Sequence, residues 1–392
     1  MRIHVARPAV LAAACFALTA TPACGFLKSI VGRNTIDLEG ADIKSMGVDI
    51  RKQQKTICPR ERVQMAVFLE AKLKDEEQVQ KLETWEDSPG LDNRNGKLTF
   101  EDFAFHSDLG GFDEEGWFTP TRDLLASVGK EFELTTAYKR RPDKFTFKTK
   151  YKPDYSCIQG VTADGSPGTA GNAGQEGQAG SSGSDGADGG DGGDGSDGGD
   201  GSDGGAGPKL LVYATMVKTP FYDKLVAVKI EGPVSDLLLF PPEQRITVSA
   251  FGGAGGSGGS GGRGGSGGSG GSGEPGGDGG KGGKGANGGK GGKGGPGGAI
   301  ELIYDSKFPE LEGMIKLAVD GGPGGAGGAA GSSGMGGSGG SGRNNAPSGQ
   351  RGPDGSAGNP GPEGQAGPPG TTSAKAGKAG AKFEGMPGLE LL

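Results

Sequence analysis

Residues 252–297 read GGAGGSGGSGGRGGSGGSGGSGEPGGDGGKGGKGANGGKGGKGGPG, with glycine at every third position and no slip. A flexible Gly/Ser linker has no reason to keep register over such a length. Strict spacing of three requires that one face of a three-fold helix be bare, which is polyproline II geometry. Such a helix makes no internal hydrogen bonds, so its amides must find partners in neighbouring segments or in water.

The same period returns twice. Residues 165–207 hold the register through fifteen glycines, and a third block runs over 321–342, breaks at RNNAPS (343–348) and resumes over 349–370. Stretches 252–273, 276–297, 321–342 and 349–370 are each 22 residues long, with Glu274 and Pro275 between the first two and RNNAPS between the last two. Equal legs on either side of a turn are what an up-and-down bundle requires. At about 3.1 Å per residue each leg spans roughly 68 Å. The first block divides in the same way at Ser181 and Ser182, into legs 160–180 and 183–204.

Two known patterns are close to these runs. The Gly-X-Y run 349–370, with Pro353, Pro360, Pro362, Pro368 and Pro369, resembles the bacterial collagen-like surface proteins; that resemblance implies a homotrimer. The Gly-Gly-X runs resemble the polyglycine II bundles of phage tail-fibre adhesins and glycine-rich antifreeze proteins, which implies helices of one chain packed in antiparallel layers and a monomer. Glycine in the second slot weakens a collagen helix but admits another neighbour in a bundle. The expectation is therefore an antiparallel bundle of about six polyglycine II helices on a β base. In the phage adhesins, tip loops select the receptor; here Glu274, Pro275, Arg343, Asn344 and Asn345 are the candidate tip contacts. Asp residues at every third position up to Asp203, and Lys281, Lys284, Lys290 and Lys293, form ladders that could face one another.

The chain begins with a basic MRIHVAR and an apolar AVLAAACFALTA too short to span a bilayer. LTATPAC, ending at Cys24, resembles a bacterial lipobox; the resemblance implies a signal peptide over 1–23, lipid attachment at Cys24, an anchor linker over 24–34 and a place on the outer membrane or cell surface. With Cys15 removed and Cys24 acylated, Cys58 and Cys157 remain and pair as one disulfide in an oxidising compartment. They sit near the ends of the compositional unit 35–160, where stretches 62–73, 97–105, 131–138 and 144–151 alternate as β-strands. Roughly seven strands with a disulfide predict an immunoglobulin-like sandwich; 123–130 is expected to form one helical turn.

Behind the first glycine block (161–208), PKLLVYATMV, DKLVAVKIEG, DLLLF and QRITVSAF read as strands over 209–251. AIELIYD and GMIKLAVDGG add two more over 299–320, on either side of which lie the glycine stretches 252–298 and 321–370; 371–392 reads as a C-terminal tail. The fold class expected is thus all-β plus polyglycine II.

Composition excludes several functions. The net charge of −7 comes without a basic, aromatic-interleaved patch, so nucleic acid is not a partner. Beyond the signal only His106 remains, which leaves Ser/His and Cys/His chemistry without material. DNRNGKLTFED places Asn93, Asn95 and Asp102 at EF-hand-like offsets, but Leu91 stands where the first ligand would be and cannot coordinate calcium. No metal or cofactor is expected. The reading is a non-enzymatic, lipid-anchored surface protein for structure or adhesion, with the membrane and a surface receptor or envelope component as partners; a collagen-like trimeric stalk is the alternative.

Overall fold

The computed structural model describes residues 35–51, 55–84 and 97–392. The signal segment, Cys24 and all of DNRNG (92–96) lie outside them. The chain divides into two units: 35–57, 61–121 and 131–152 belong to the first, and 58–60, 122–130 and 153–392 to the second. The boundary expected at 160 therefore falls at 153, and both cysteines cluster with the second unit.

Among the described residues the first unit is built on β-strands. A five-stranded antiparallel sheet contains β1 (Asp42–Ile50), β3 (Val63–Lys72), β4 (Val79–Glu83), β6 (Gly110–Phe112) and β7 (Trp117–Pro120), in the order β1-β3-β7-β6 with β4 also on β3. A four-stranded sheet, β2-β9-β8-β5, is built from β2 (Thr56–Ile57), β5 (Phe103–His106), β8 (Phe132–Tyr138) and β9 (Thr146–Pro153). Inward residues of both sheets share two apolar clusters, one around Val67, Leu69, Phe103 and Tyr138, the other around Met65, Phe118, Phe132 and Tyr151. Tyr151 donates to Asp49 Oδ1 at 3.0 Å, and burial pushes its phenol up to about 12. The strand expected over 97–105 starts late, because Thr99 accepts the Glu101 amide and caps a 3-10 turn at Phe100–Asp102. The expected helical turn, α1 (Leu124–Ser127), capped by Asp123, belongs to the second unit.

In the second unit, six strands follow the apolar stretches: β11 (Lys209–Thr219), β12 (Tyr222–Glu231), β13 (Asp236–Phe240), β14 (Ile246–Phe251), β15 (Ala299–Asp305) and β16 (Ile315–Ala318). Three more were not anticipated: β10 (Gly160–Asp164), β17 (Thr371–Gly377) and β18 (Glu390–Leu391). The presumed tail is thus integral, and Phe383 within it is buried beside Tyr155 and Leu239. One sheet runs β13-β12-β11-β15-β17, with β18 on β11; the other runs β10-β14-β16 and is entirely parallel. Ala163, Val248, Ala250 and Ile315 of the small sheet pack against Leu210, Val212, Ile300 and Leu302 of the large one.

Each glycine leg continues one of these strands. β10 runs into leg 1 (165–183), which turns at 184–187 and returns as leg 2 (188–207) into β11. β14 leads into leg 3 (252–273) and leg 4 (276–298) returns to β15; β16 leads into leg 5 (321–342) and leg 6 (349–370) returns to β17. Strand register passes straight into leg register: Asp164 pairs Phe251 in the small sheet, and the next amide, Gly165, donates to the Phe251 carbonyl at 2.8 Å. In the large sheet Ala299 pairs Thr371, and Gly297 donates to Pro368 at 2.9 Å.

Candidate functional site: the turn end and faces of the glycine bundle

Legs 1, 3 and 5 form one parallel row. Gly168, Gly171 and Gly174 donate to Ala254, Ser257 and Ser260, and Gly255, Gly258 and Gly261 donate to Pro323, Ala326 and Ala329, all within 2.7–2.9 Å. Legs 2, 4 and 6 form the second row in the same way, with Gly192 on Lys281 at 2.8 Å and Gly282 on Pro353 at 2.9 Å. Between rows the legs are antiparallel, as in Gly259 to Gly199, Gly289 to Gly259 and Gly328 to Gly289, each at 2.8 Å.

Glycine content follows position. Inner legs 3 and 4 touch four other legs and carry two glycines per triplet; a Cβ at Gly258 would lie 2.1 Å from the Gly289 oxygen and one at Gly259 1.9 Å from the Asn172 oxygen. Corner legs 1 and 6 touch two legs each and carry one. The collagen-like look of 349–370 belongs to a corner leg whose glycine amides go to leg 5 and whose carbonyls receive those of leg 4.

Three turns close the far end. The first lies at 184–187 and not at Ser181–Ser182: Ala187 donates to the Ser184 carbonyl at 2.9 Å, with Asp185 and Gly186 at φ 47° and 81°. Asp-Gly suits these left-handed positions, but the dipeptide recurs along the whole block and so does not stand out. Leg 3 turns at a cis Glu274–Pro275 bond and leg 5 at 343–348, where Asn344 and Asn345 take φ 49° and 63°. The turns touch: Arg343 donates its amide to Gly273 at 2.8 Å, Gly276 to Pro347 at 3.1 Å, and the Asn344 side-chain amide to Glu274 Oε1. All five candidate tip residues are exposed. Glu274 and Asn344 are occupied with each other, whereas the Arg343 guanidinium makes no hydrogen bond or ion pair among the described residues.

The two broad faces differ. Outward positions of row 1-3-5 are nearly all small and uncharged, among them Ala170, Ala173, Ser257, Ser260, Ala326 and Ala329, with Glu176, Arg263 and Met335 as exceptions. Row 2-4-6 carries both charge ladders. Asp188, Asp191, Asp194, Asp197, Asp200 and Asp203 of leg 2 accept, through Oδ1, the amides of Asp278, Lys281, Lys284, Asn287, Lys290 and Lys293 of leg 4 at 2.7–2.8 Å. The ladders meet, but carboxylate to backbone and not carboxylate to ammonium. The matching extends further: Asp278 and Asn287 cap Gln350 and Asn359 on leg 6. Beside Lys281, Lys290 and Pro296, which offer no acceptor, leg 6 has Pro353, Pro362 and Pro368, which offer no donor; Ala206 and Pro296 match likewise.

Cys58 and Cys157 form the expected disulfide, and Arg60 beside it holds Asp236 through Nη1 and Nη2 at 3.0 and 2.6 Å. Among the described residues no group of three or more His, Cys, Asp or Glu is placed to hold a metal ion, and no helix is long and apolar enough to cross a membrane. Comparison with protein-family models, curated proteins and solved structures finds no match.

Proposed function

We propose that this chain is a non-enzymatic, lipid-anchored envelope protein whose six legs are polyglycine II helices holding a rigid turn end available for contact. The observation that carries this reading is the hydrogen bonding of every third amide from leg to leg, in unbroken register, over the whole length of the glycine blocks. A linker would not maintain it, and a slab of this kind has no use for conformational freedom. Against the collagen-like stalk stands leg 6, whose backbone partners are legs 4 and 5 of the same chain. We read the first unit as an immunoglobulin-like sandwich, on its paired antiparallel sheets. Lipid attachment at Cys24 and export to the outer membrane or surface rest on the lipobox resemblance.

Within the turn end, Arg343 and Asn345 supply the contact, because Asn344 and Glu274 are engaged with each other. The test is binding of the purified ectodomain to intact envelope preparations. Arg343→Ala with Asn345→Gly, glycine keeping the left-handed backbone of Asn345 at φ 63°, should lower retention at least about tenfold, a loss of about 1.4 kcal/mol, while the thermal midpoint stays unchanged. Equal retention of a folded double variant would remove the tip from the function.

A further inference from the structure

We propose that the outer face of legs 2, 4 and 6 is an interface between two copies of this chain. Its Asp column and its Lys column stand at matched heights on adjacent legs, since the Lys281, Lys284, Lys290 and Lys293 amides are those capped by Asp191, Asp194, Asp200 and Asp203. Within the chain each carboxylate uses Oδ1 for that amide. All eight side chains are exposed, and among the described residues none of these four ammoniums takes part in an ion pair. The two columns are therefore complete as charges and unspent as partners.

Symmetry decides how a second copy fits. A two-fold axis parallel to the legs, midway between the columns, lays leg 2 of one copy on leg 4 of the other at equal height. Four Asp–Lys pairs then form in each direction against one like-charge contact, Asp188 on Asp278, and the two bundles run the same way. A two-fold axis across the legs would lay Asp on Asp and Lys on Lys, so charge selects the parallel dimer. With legs about 4.8 Å apart and roughly 68 Å long, overlap of two legs covers about 650 Å² per copy. The total of about 1,300 Å² lies at the lower end of the range for stable complexes. An interface of exposed charges is also screened by salt, so the dimer is salt-sensitive.

Sedimentation of the mature full chain tests this. The expected result is a dimer at about 0.02 M salt that dissociates at about 0.5 M, with the dissociation constant rising more than about tenfold. Replacing the four lysines together by glutamine should leave a monomer at both salts with an unchanged circular dichroism spectrum, because their side chains hold nothing within the chain. Replacing them by arginine should retain the dimer. Carbodiimide cross-linking of an equal mixture of isotope-labelled and unlabelled protein should give leg 2–leg 4 cross-links of mixed mass. A wild-type monomer at low salt, a glutamine variant that still dimerises, or cross-links of uniform mass only would each overturn the proposal.

Discussion

At the residue scale, the bundle sorts its positions by what lies opposite Cβ. Gly259 faces a carbonyl oxygen, so Gly259→Ala forces leg 3 away from leg 1. Ala286 already occupies one second-glycine slot and is buried, so a single methyl displaces legs without dissolving them, and the expected cost is about 1–3 kcal/mol in thermal unfolding. Leg 2 offers the opposite case. Ser196 and Ser202 accept the Gln175 and Thr169 amides at 2.6 and 2.7 Å, and a Cβ at the equivalent Gly199 would lie 3.1 Å from the Asn172 nitrogen. Gly199→Ser should therefore stabilise, by about 0.4–1 kcal/mol from the unfolded chain alone. The Asp ladder gives a third check: Asp194→Ala leaves the Lys284 amide uncapped and should cost about 0.5–1.5 kcal/mol, whereas Asp194→Asn keeps the acceptor and should cost little. The stripe itself was visible in the sequence. Its role was not, because a side chain that caps the backbone of another leg, 90 residues away, leaves no local signal.

At the scale of elements, leg lengths and the turns at Glu274–Pro275 and 343–348 could be read directly, since period and breaks are one-dimensional features. The turn at 184–187 could not, because its Asp-Gly is one of many. Nor could the hand-off from strand to leg, which depends on β10, β14 and β16 forming a parallel sheet whose order matches legs 1, 3 and 5. This hand-off explains how residues that bury almost nothing apolar become ordered. Fixing each backbone costs about 1–2 kcal/mol, and the apolar core of the base sets the register so that hydrogen bonds can offset that cost together. A peptide of 252–298 alone lacks both the base and the flanking legs. It should be unfolded by circular dichroism and show random-coil amide shifts; an ordered isolated hairpin would assign the register to the legs themselves.

For the whole molecule, the all-β class and the disulfide were legible from alternation and from the two leftover cysteines. The unit to which that disulfide belongs was not, since residues 58–60 and 122–130 join the second unit out of chain order. Replacing Cys58 and Cys157 by serine releases a closure of 99 residues and should destabilise the second unit by about 2–5 kcal/mol, read from denaturant unfolding. The wide separation of glycine blocks along the chain follows from the same architecture: each hairpin must start and end on the base.

Hydrogen exchange of the individual leg amides, resolved by NMR, tests the bundle most directly. Leg-to-leg hydrogen bonding predicts protection with period three and a graded content: one glycine amide per triplet on leg 1, together with Thr169 and Gln175; both glycine amides but not Ser257 or Ser260 on leg 3; all three amides of each triplet around Lys281 and Lys284 on leg 4. Exchange at random-coil rates throughout the glycine blocks, or protection without that period, would contradict it.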